Sequence, residues 1–292
     1  MRIVVAGGSG FLGTPLRHEL ASAGHEVTQL VRRPAVKPDQ LTWDPAEPVT
    51  LPADTGAVIN LCGVSIGHRW TQSYRDLIRS SRIVPSSTLA KAVARQRIPL
   101  LMNASAVGFY GETGDRVVDE GSGPGDDFLA RLAIDWEGAT RPASEAGARV
   151  VRMRTGMPLD KEGGFLKPQL LPFRLGIAGK LGSGRQWIPW ISLRDWLRAA
   201  MFVLAEPRIE GPVNLVGPDP VTNAEFTKAL ARALHRPALM PVPKLGVRIL
   251  FGEYAEEGYR SLRAMPKVLQ DNGFKYEYAT FASALAEALR DG

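Results

Sequence analysis

The chain has 292 residues, 45% of them hydrophobic and 23% charged, which fits a globular protein large enough for an α/β core with a smaller lobe. It has no run of about 18 apolar residues, and the start "MRIVVAGG" lacks the features of a signal peptide, so we expect no membrane span, no export, no membrane contact and a cytoplasmic location. The net charge of +6 comes from Lys and Arg scattered among acids, with no basic run or reader motif; this disfavours nucleic acid and suits a small anionic ligand on a solvated basic surface.

In chain order, "RIVVA" at 2–6 is a short apolar run closed by glycines, as in a strand buried on both faces. From Phe11 the period changes: Leu12, Leu16 and Leu20 recur every fourth residue and Gly24 ends the helix. "HEVTQLVRR" at 25–33 reads as the second strand of a β-α-β unit. Further strands are expected at 57–63, 99–107, 148–156 and 211–217, separated by helical patterns at 71–96, 126–146 and about 192–205. Such alternation predicts a doubly wound, parallel Rossmann-type α/β sheet. The last third differs. Thr222 with Glu225 forms a capping box, "TFASALAEAL" is a second amphipathic helix, and prolines at 237, 241, 243 and 266 cut the chain between them. A small, mostly helical C-terminal lobe follows, with residues 1–160, completed by about 188–220, as the core, and 161–187 plus 221–292 as the lobe. The single cysteine and the four histidines show no ligand spacing, so no disulfide and no metal are expected.

Gly7, Gly10 and Gly13 form G-x-x-G-x-x-G after the first strand and at the opening of a helix, and Gly8, Gly10 and Gly13 also fit G-x-G-x-x-G. In that context glycines let the backbone turn tightly and approach a pyrophosphate, which sits on the amide donors of the helix start. The expected cofactor contacts are Gly7, Ser9, Gly10, Phe11, Leu12 and Gly13, with Leu61, Cys62 and Gly63 after the third predicted strand and Arg82 on the next helix. Arg32 and Arg33 stand where an NAD-selective protein places a carboxylate. A guanidinium pairs well with a 2′-phosphate, so NADP(H) is the expected cofactor.

"AGGSGFLG", "NLCG" at 60–63 and "GSGRQWIPWISLRD" at 182–195 resemble the short-chain dehydrogenase/reductase superfamily in its extended form. Longer stretches, among them "GHRWTQSYRDLIRSSRI", "SAVGFYG", "DDFLARLAIDWE" and "GEYAEEGYRSLRAMPKVLQDNGFKY", resemble its atypical "epimerase family protein" group, often labelled nucleoside-diphosphate-sugar epimerases. Departures are Asp160, where the group often has Gly, and Arg194, which replaces one acid of a pair and leaves Asp195. The superfamily implies a Tyr-x-x-x-Lys pair with an upstream serine, in which tyrosine moves the proton, lysine lowers its pKa and serine fixes the carbonyl. No lysine here has tyrosine four residues before it, and the matching helix carries Phe128 or Leu129 and Leu132 or Ala133 instead. Ser105 and Tyr110 are the hydroxyls left as catalytic candidates. Ser105 reads equally as a serine bonding its own loop, and Tyr110 as a packing residue. The resemblance implies an NADP-dependent oxidoreductase or epimerase acting on a small molecule; the rival reading is a non-catalytic NADPH sensor acting through a protein partner.

Overall fold

The computed structural model describes residues 1–238 and 252–290. Its first unit is β1 (Arg2–Ala6), α1 (Gly13–Ser22) and β2 (Glu26–Val31), followed by the short β3 (Gln40–Thr42). Next come β4 (Thr55–Asn60), α2 (Gln72–Gln96), β5 (Leu100–Ala106), α3 (Phe128–Gly138), α4 (Arg141–Glu145) and β7 (Arg149–Thr155), with a two-residue β6 (Val117–Val118) between β5 and α3. After β8 (Met157–Asp160), β9 (Gly163–Gly164) and α5 (Lys167–Arg174), the chain passes through β10 (Trp187–Ile188) and β11 (Trp190–Ser192) into α6 (Leu193–Ala205) and β12 (Gly211–Leu215). The described lobe then adds β13 (Val221–Thr222), α7 (Asn223–Ala233), β14 (Arg263–Ala264), a short helix at Lys267–Asp271 and a C-terminal helix at Phe281–Leu289. Pro241 and Pro243, expected to cut the lobe, lie outside the described residues.

Seven parallel strands pair in the order β12-β7-β5-β4-β1-β2-β3. The order reverses between β1 and β4, and a crevice opens beyond the carboxyl ends of strands at such a point. Leu16 and Leu20 of α1 are fully buried on one face with Trp196, Ala199 and Val203 of α6. The opposite face packs against Leu89, Ala90 and Val93 of α2 and Ala143 of α4. A separate cluster of Leu170, Phe173, Trp190, Phe226, Leu230 and Phe281 forms the interior of the lobe.

Where the structure departs from the expected elements, local chemistry explains it. The pattern at 126–146 divides into α3 and α4, because Pro142 has no N–H to continue the ladder; Thr140 instead donates its hydroxyl to the Glu137 carbonyl at 2.7 Å. β2 stops at Val31, leaving Arg32 and Arg33 exposed beyond it. β4 stops at Asn60, so Leu61, Cys62 and Gly63 belong to a loop. β3 went unseen in the sequence because three residues carry no readable period. The Thr222–Glu225 capping box is present, and Thr280 caps the C-terminal helix.

Asp195 ties the lobe to the sheet. It is fully buried and exchanges bonds with Ser192 at the start of α6. It also accepts the backbone N–H groups of Glu277 and Tyr278 at 2.8 and 2.9 Å and pairs with Arg198 at 3.1 Å. Replacing it leaves several buried donors unpaired, so Asp195→Ala is expected to lower stability by about 3–5 kcal/mol in urea unfolding.

Candidate functional site

The loop between β1 and α1 is shaped by what its glycines lack. Gly7 has φ +74°, and a Cβ there would lie 2.6 Å from the Leu61 carbonyl carbon. At Gly13 a Cβ would meet the Gly7 oxygen at 2.3 Å, so only glycine lets α1 start this close to the strand. Gly10 is different: only the Gly7 oxygen, at 3.3 Å, lies near its Cβ position, and the backbone is open to an incoming group. No side chain caps α1, and no acid occupies its first turn, which leaves its positive end for an anion. Arg17 bonds the Gly8 carbonyl at 2.8 Å and braces the loop from behind. Ser9 is exposed, and the Phe11 ring lies against Gly163 and Gly164 of β9, bringing the lobe over the loop.

Beyond β4, Asn60 fixes the facing wall. Its amide donates to Ser86 at 2.9 Å and to Asn103 at 2.7 Å, and its oxygen accepts the Cys62 N–H at 3.1 Å. Cys62 is half-buried, and burial pushes its thiol up to about 12, with Arg32 opposing the shift. Neither Arg32 nor Arg33 pairs with a carboxylate among the described residues. Arg82 points inward under this loop. It donates to the Val64 and Ile78 carbonyls at 2.9 and 3.0 Å and lies over the Trp136 ring, and burial lowers its pKa to about 10.

Ser105 and Tyr110 belong to one buried network. The Ser105 hydroxyl donates to Glu137 at 2.7 Å. Arg154 grips both oxygens of Glu137, at 2.8 and 2.9 Å, and donates to the Tyr110 oxygen at 3.0 Å. Tyr110 in turn donates to Asn214 at 2.8 Å, and Arg154 stacks over Phe109 at 3.5 Å. Ser105 is 3% exposed and Tyr110 1%. Burial pushes the Tyr110 phenol up to about 12 against the pull of Arg154, so it stays protonated at neutral pH. Glu137 is thus half of a buried ion pair. Glu120 accepts the Asn214 and Val268 N–H groups on one oxygen, while the other is buried and unpaired, and burial raises its pKa. The sequence reading missed Arg154 and Asn214. Asn214 is an amide within the short strand GPVNL, and Arg154 is one of three arginines in RVVRMRT, so neither stood out in the sequence.

A second charged cluster is built around the 3-10 segment that precedes β14. The 3-10 segment Gly252–Tyr259 places Glu253 on Arg75 and Tyr254 against Trp70, and Gly258 abuts Leu181. Arg260 pairs with Asp127, the N-cap of α3, and with Glu257 at 3.1 Å. Burial, with the nearby charges of Asp127, Glu112 and Glu256, pushes Glu257 up to about 7 although Arg260 opposes it.

Two predictions follow from these clusters. Glu137→Gln or Arg154→Met strands a buried charge, and each is expected to cost about 3–5 kcal/mol in urea unfolding, with the double variant recovering part of the loss. For Glu257, the folded protein holds a proton that the unfolded chain releases from pH 4.5 upward. Stability should therefore fall as pH rises from about 4.5 to about 7 and level off above, and Glu257→Gln should flatten that slope in thermal melts.

Comparison with known proteins places this geometry. Residues 3–132 match the NAD dependent epimerase/dehydratase family, and residues 242–288 match a domain of unknown function, DUF1731. An epimerase family protein of Mycobacterium bovis is 47% identical over 98% of this chain and 97% of its own length. A crystal structure of human epimerase family protein SDR39U1 (isoform 2) with NADPH superposes with a TM-score of 0.92 at 34% identity, covering 99% of each chain. UDP-N-acetylglucosamine 4-epimerase from Bacillus cereus, at 19% identity and a TM-score of 0.76 over 99% of this chain and 98% of its own, shares the fold.

Proposed function

The chain belongs to the epimerase family proteins, an atypical group of short-chain dehydrogenases/reductases, and on that premise we propose that it binds NADP(H) and acts in the cytoplasm as an oxidoreductase or epimerase-like enzyme on a small, anionic molecule. The observation that carries the cofactor choice is the exposed pair Arg32 and Arg33 at the end of β2, free of any carboxylate among the described residues. The human relative's structure with NADPH supports the same choice.

The residues fit the cofactor. The Gly7–Gly13 loop leaves the backbone space that a pyrophosphate requires, and the uncapped start of α1 supplies amide donors. Nicotinamide bound here would give or take a hydride. Asn60 holds the facing loop in one conformation through Cys62, and Arg32 and Arg33 supply the forks for a 2′-phosphate. Residues 1–160 with about 188–220 make up the cofactor half in this reading, and 161–187 with 221–292 the substrate half.

A second reading has its own observation. Both candidate hydroxyls, Ser105 and Tyr110, are buried and already bonded, as expected of an NADPH-binding sensor that turns nothing over and acts through a protein partner.

Arg32→Ala with Arg33→Ala is expected to weaken NADPH binding at least about tenfold and leave NADH nearly unchanged, in line with the loss of charge-assisted bonds. Equal dissociation constants for NADPH and NADH in the parent protein would overturn the cofactor assignment. Turnover is tested by loading the protein with NADPH deuterated at the transferable position, adding a metabolite extract and following the label by mass spectrometry. A labelled product that diminishes in Ser105→Ala or Tyr110→Phe supports the enzyme. Tight binding without transfer removes net reduction and leaves the sensor or an epimerase that keeps its hydride.

A further inference from the structure

α5 carries an apolar face that no other element among the described residues covers. Leu171 is 65% exposed, and Leu175 and Ile177 are 62% exposed each, while Leu170 and Phe173 on the other side of the helix pack into the lobe. The end of the helix is held in a defined shape. Gly176 takes φ +69°, the Gly176 N–H bonds the Phe173 carbonyl at 2.9 Å and the Ile177 N–H bonds that of Pro172 at 3.1 Å. That glycine-ended turn fixes Ile177 beside the last turn of α5.

Cations surround the three side chains. Lys167 lies one turn before Leu171 and Arg174 three residues after it, both exposed and on the same side of the helix. Pro237 lies 3.9 Å from the Cβ position of Gly176, which brings exposed Arg236 to this turn. No Asp or Glu occurs between Glu162 and Asp195, or between Glu225 and Ala238. Lys167, Arg174 and Arg236 pair with no carboxylate among the described residues.

We propose that this face rests on an anionic lipid surface, with Leu171, Leu175 and Ile177 entering the headgroup boundary and Lys167, Arg174 and Arg236 meeting lipid phosphates. The charge is complementary to such a surface and the apolar residues protrude from a convex helix. Three side chains offer far less than the about 800 Å² per partner that a stable protein interface buries, and Leu is under-represented among hot-spot residues. The sequence argued against membrane contact because it holds no span, and no helix among the described residues is long and apolar enough to cross a membrane. A helix lying in the interface needs no such length; it needs a protruding apolar side flanked by cations.

The test is co-sedimentation of the whole protein with phosphatidylcholine vesicles, alone or with about a third phosphatidylglycerol, at low and high salt. Binding is expected to the anionic vesicles only, and to weaken about tenfold or more at high salt. The variants Leu171→Ser/Leu175→Ser/Ile177→Ser and Lys167→Glu/Arg174→Glu should each lose about tenfold or more, with unchanged melting temperature as the control for folding. The proposal is overturned by absence of anionic-vesicle binding, by equal binding to neutral vesicles, or by binding that both variants retain. A dimer in sizing chromatography that the Leu/Ile variant dissolves would also overturn it, assigning the face to a second copy of the chain.

Discussion

A guanidinium inside a parallel sheet constrains everything packed around it. β7 has neighbours on both sides, so Arg154 cannot reach water, and taking its charge out of solvent costs several kcal/mol unless a carboxylate meets it squarely. Glu137 does so with both oxygens, which fixes the rotation and depth of α3 against the sheet. The third Arg154 nitrogen, Nη1, donates to the Tyr110 oxygen, and the flat cation lies on Phe109. The turn after β5 is thereby fixed to the same pair.

β5 shows how this constraint reaches the cofactor loop. Asn103 and Ser105 are two apart on one strand and share a side of the sheet. Asn103 accepts from Asn60, whose oxygen holds the Cys62 N–H; Ser105 donates to Glu137. Ser86 of α2 receives both Asn60 and the Trp136 indole N–H of α3. One polar seam under α2 and α3 thus runs from the β4 loop to Arg154. A buried, hydrogen-bonded seam of this kind stiffens the wall that faces the glycine-rich loop.

This seam was the least legible part of the chain. The elements themselves were readable wherever a period lasted: α2 came within a residue of its expected limits, and Thr222 with Glu225 formed the expected cap, because helix periodicity and capping are local chemistry. The same holds for the glycine loop, whose requirement for missing Cβ atoms is encoded in consecutive residues. The network is different in kind. Ser105 and Glu137 are 32 residues apart and Tyr110 and Asn214 are 104 apart, so no spacing in the sequence predicts that they meet. Arg154 left little trace of its own, because Arg149 and Arg152 stand beside it in the same strand and only Arg154 is buried among them. The short strands β3, β9 and β10 failed for another reason: two or three residues are too few to show alternation.

The start of α3, where Phe128, Leu129, Leu132 and Ala133 lie, is apolar. Gly108 lets the Leu129 side chain approach, since a Cβ there would lie 3.4 Å from that of Leu129, and Leu132 and Ala133 are buried one turn on. The polarity that a tyrosine and a lysine would bring to that surface lies one layer deeper, in Glu137 and Arg154. A hydroxyl such as Ser105, whose hydrogen is committed to Glu137, has only lone pairs left to offer a ligand. Tyr110 accepts from Arg154 and donates to Asn214, which leaves little capacity to move a proton. A ligand group that meets Ser105 is therefore met by an acceptor, and the hydrogen of that contact comes from the ligand.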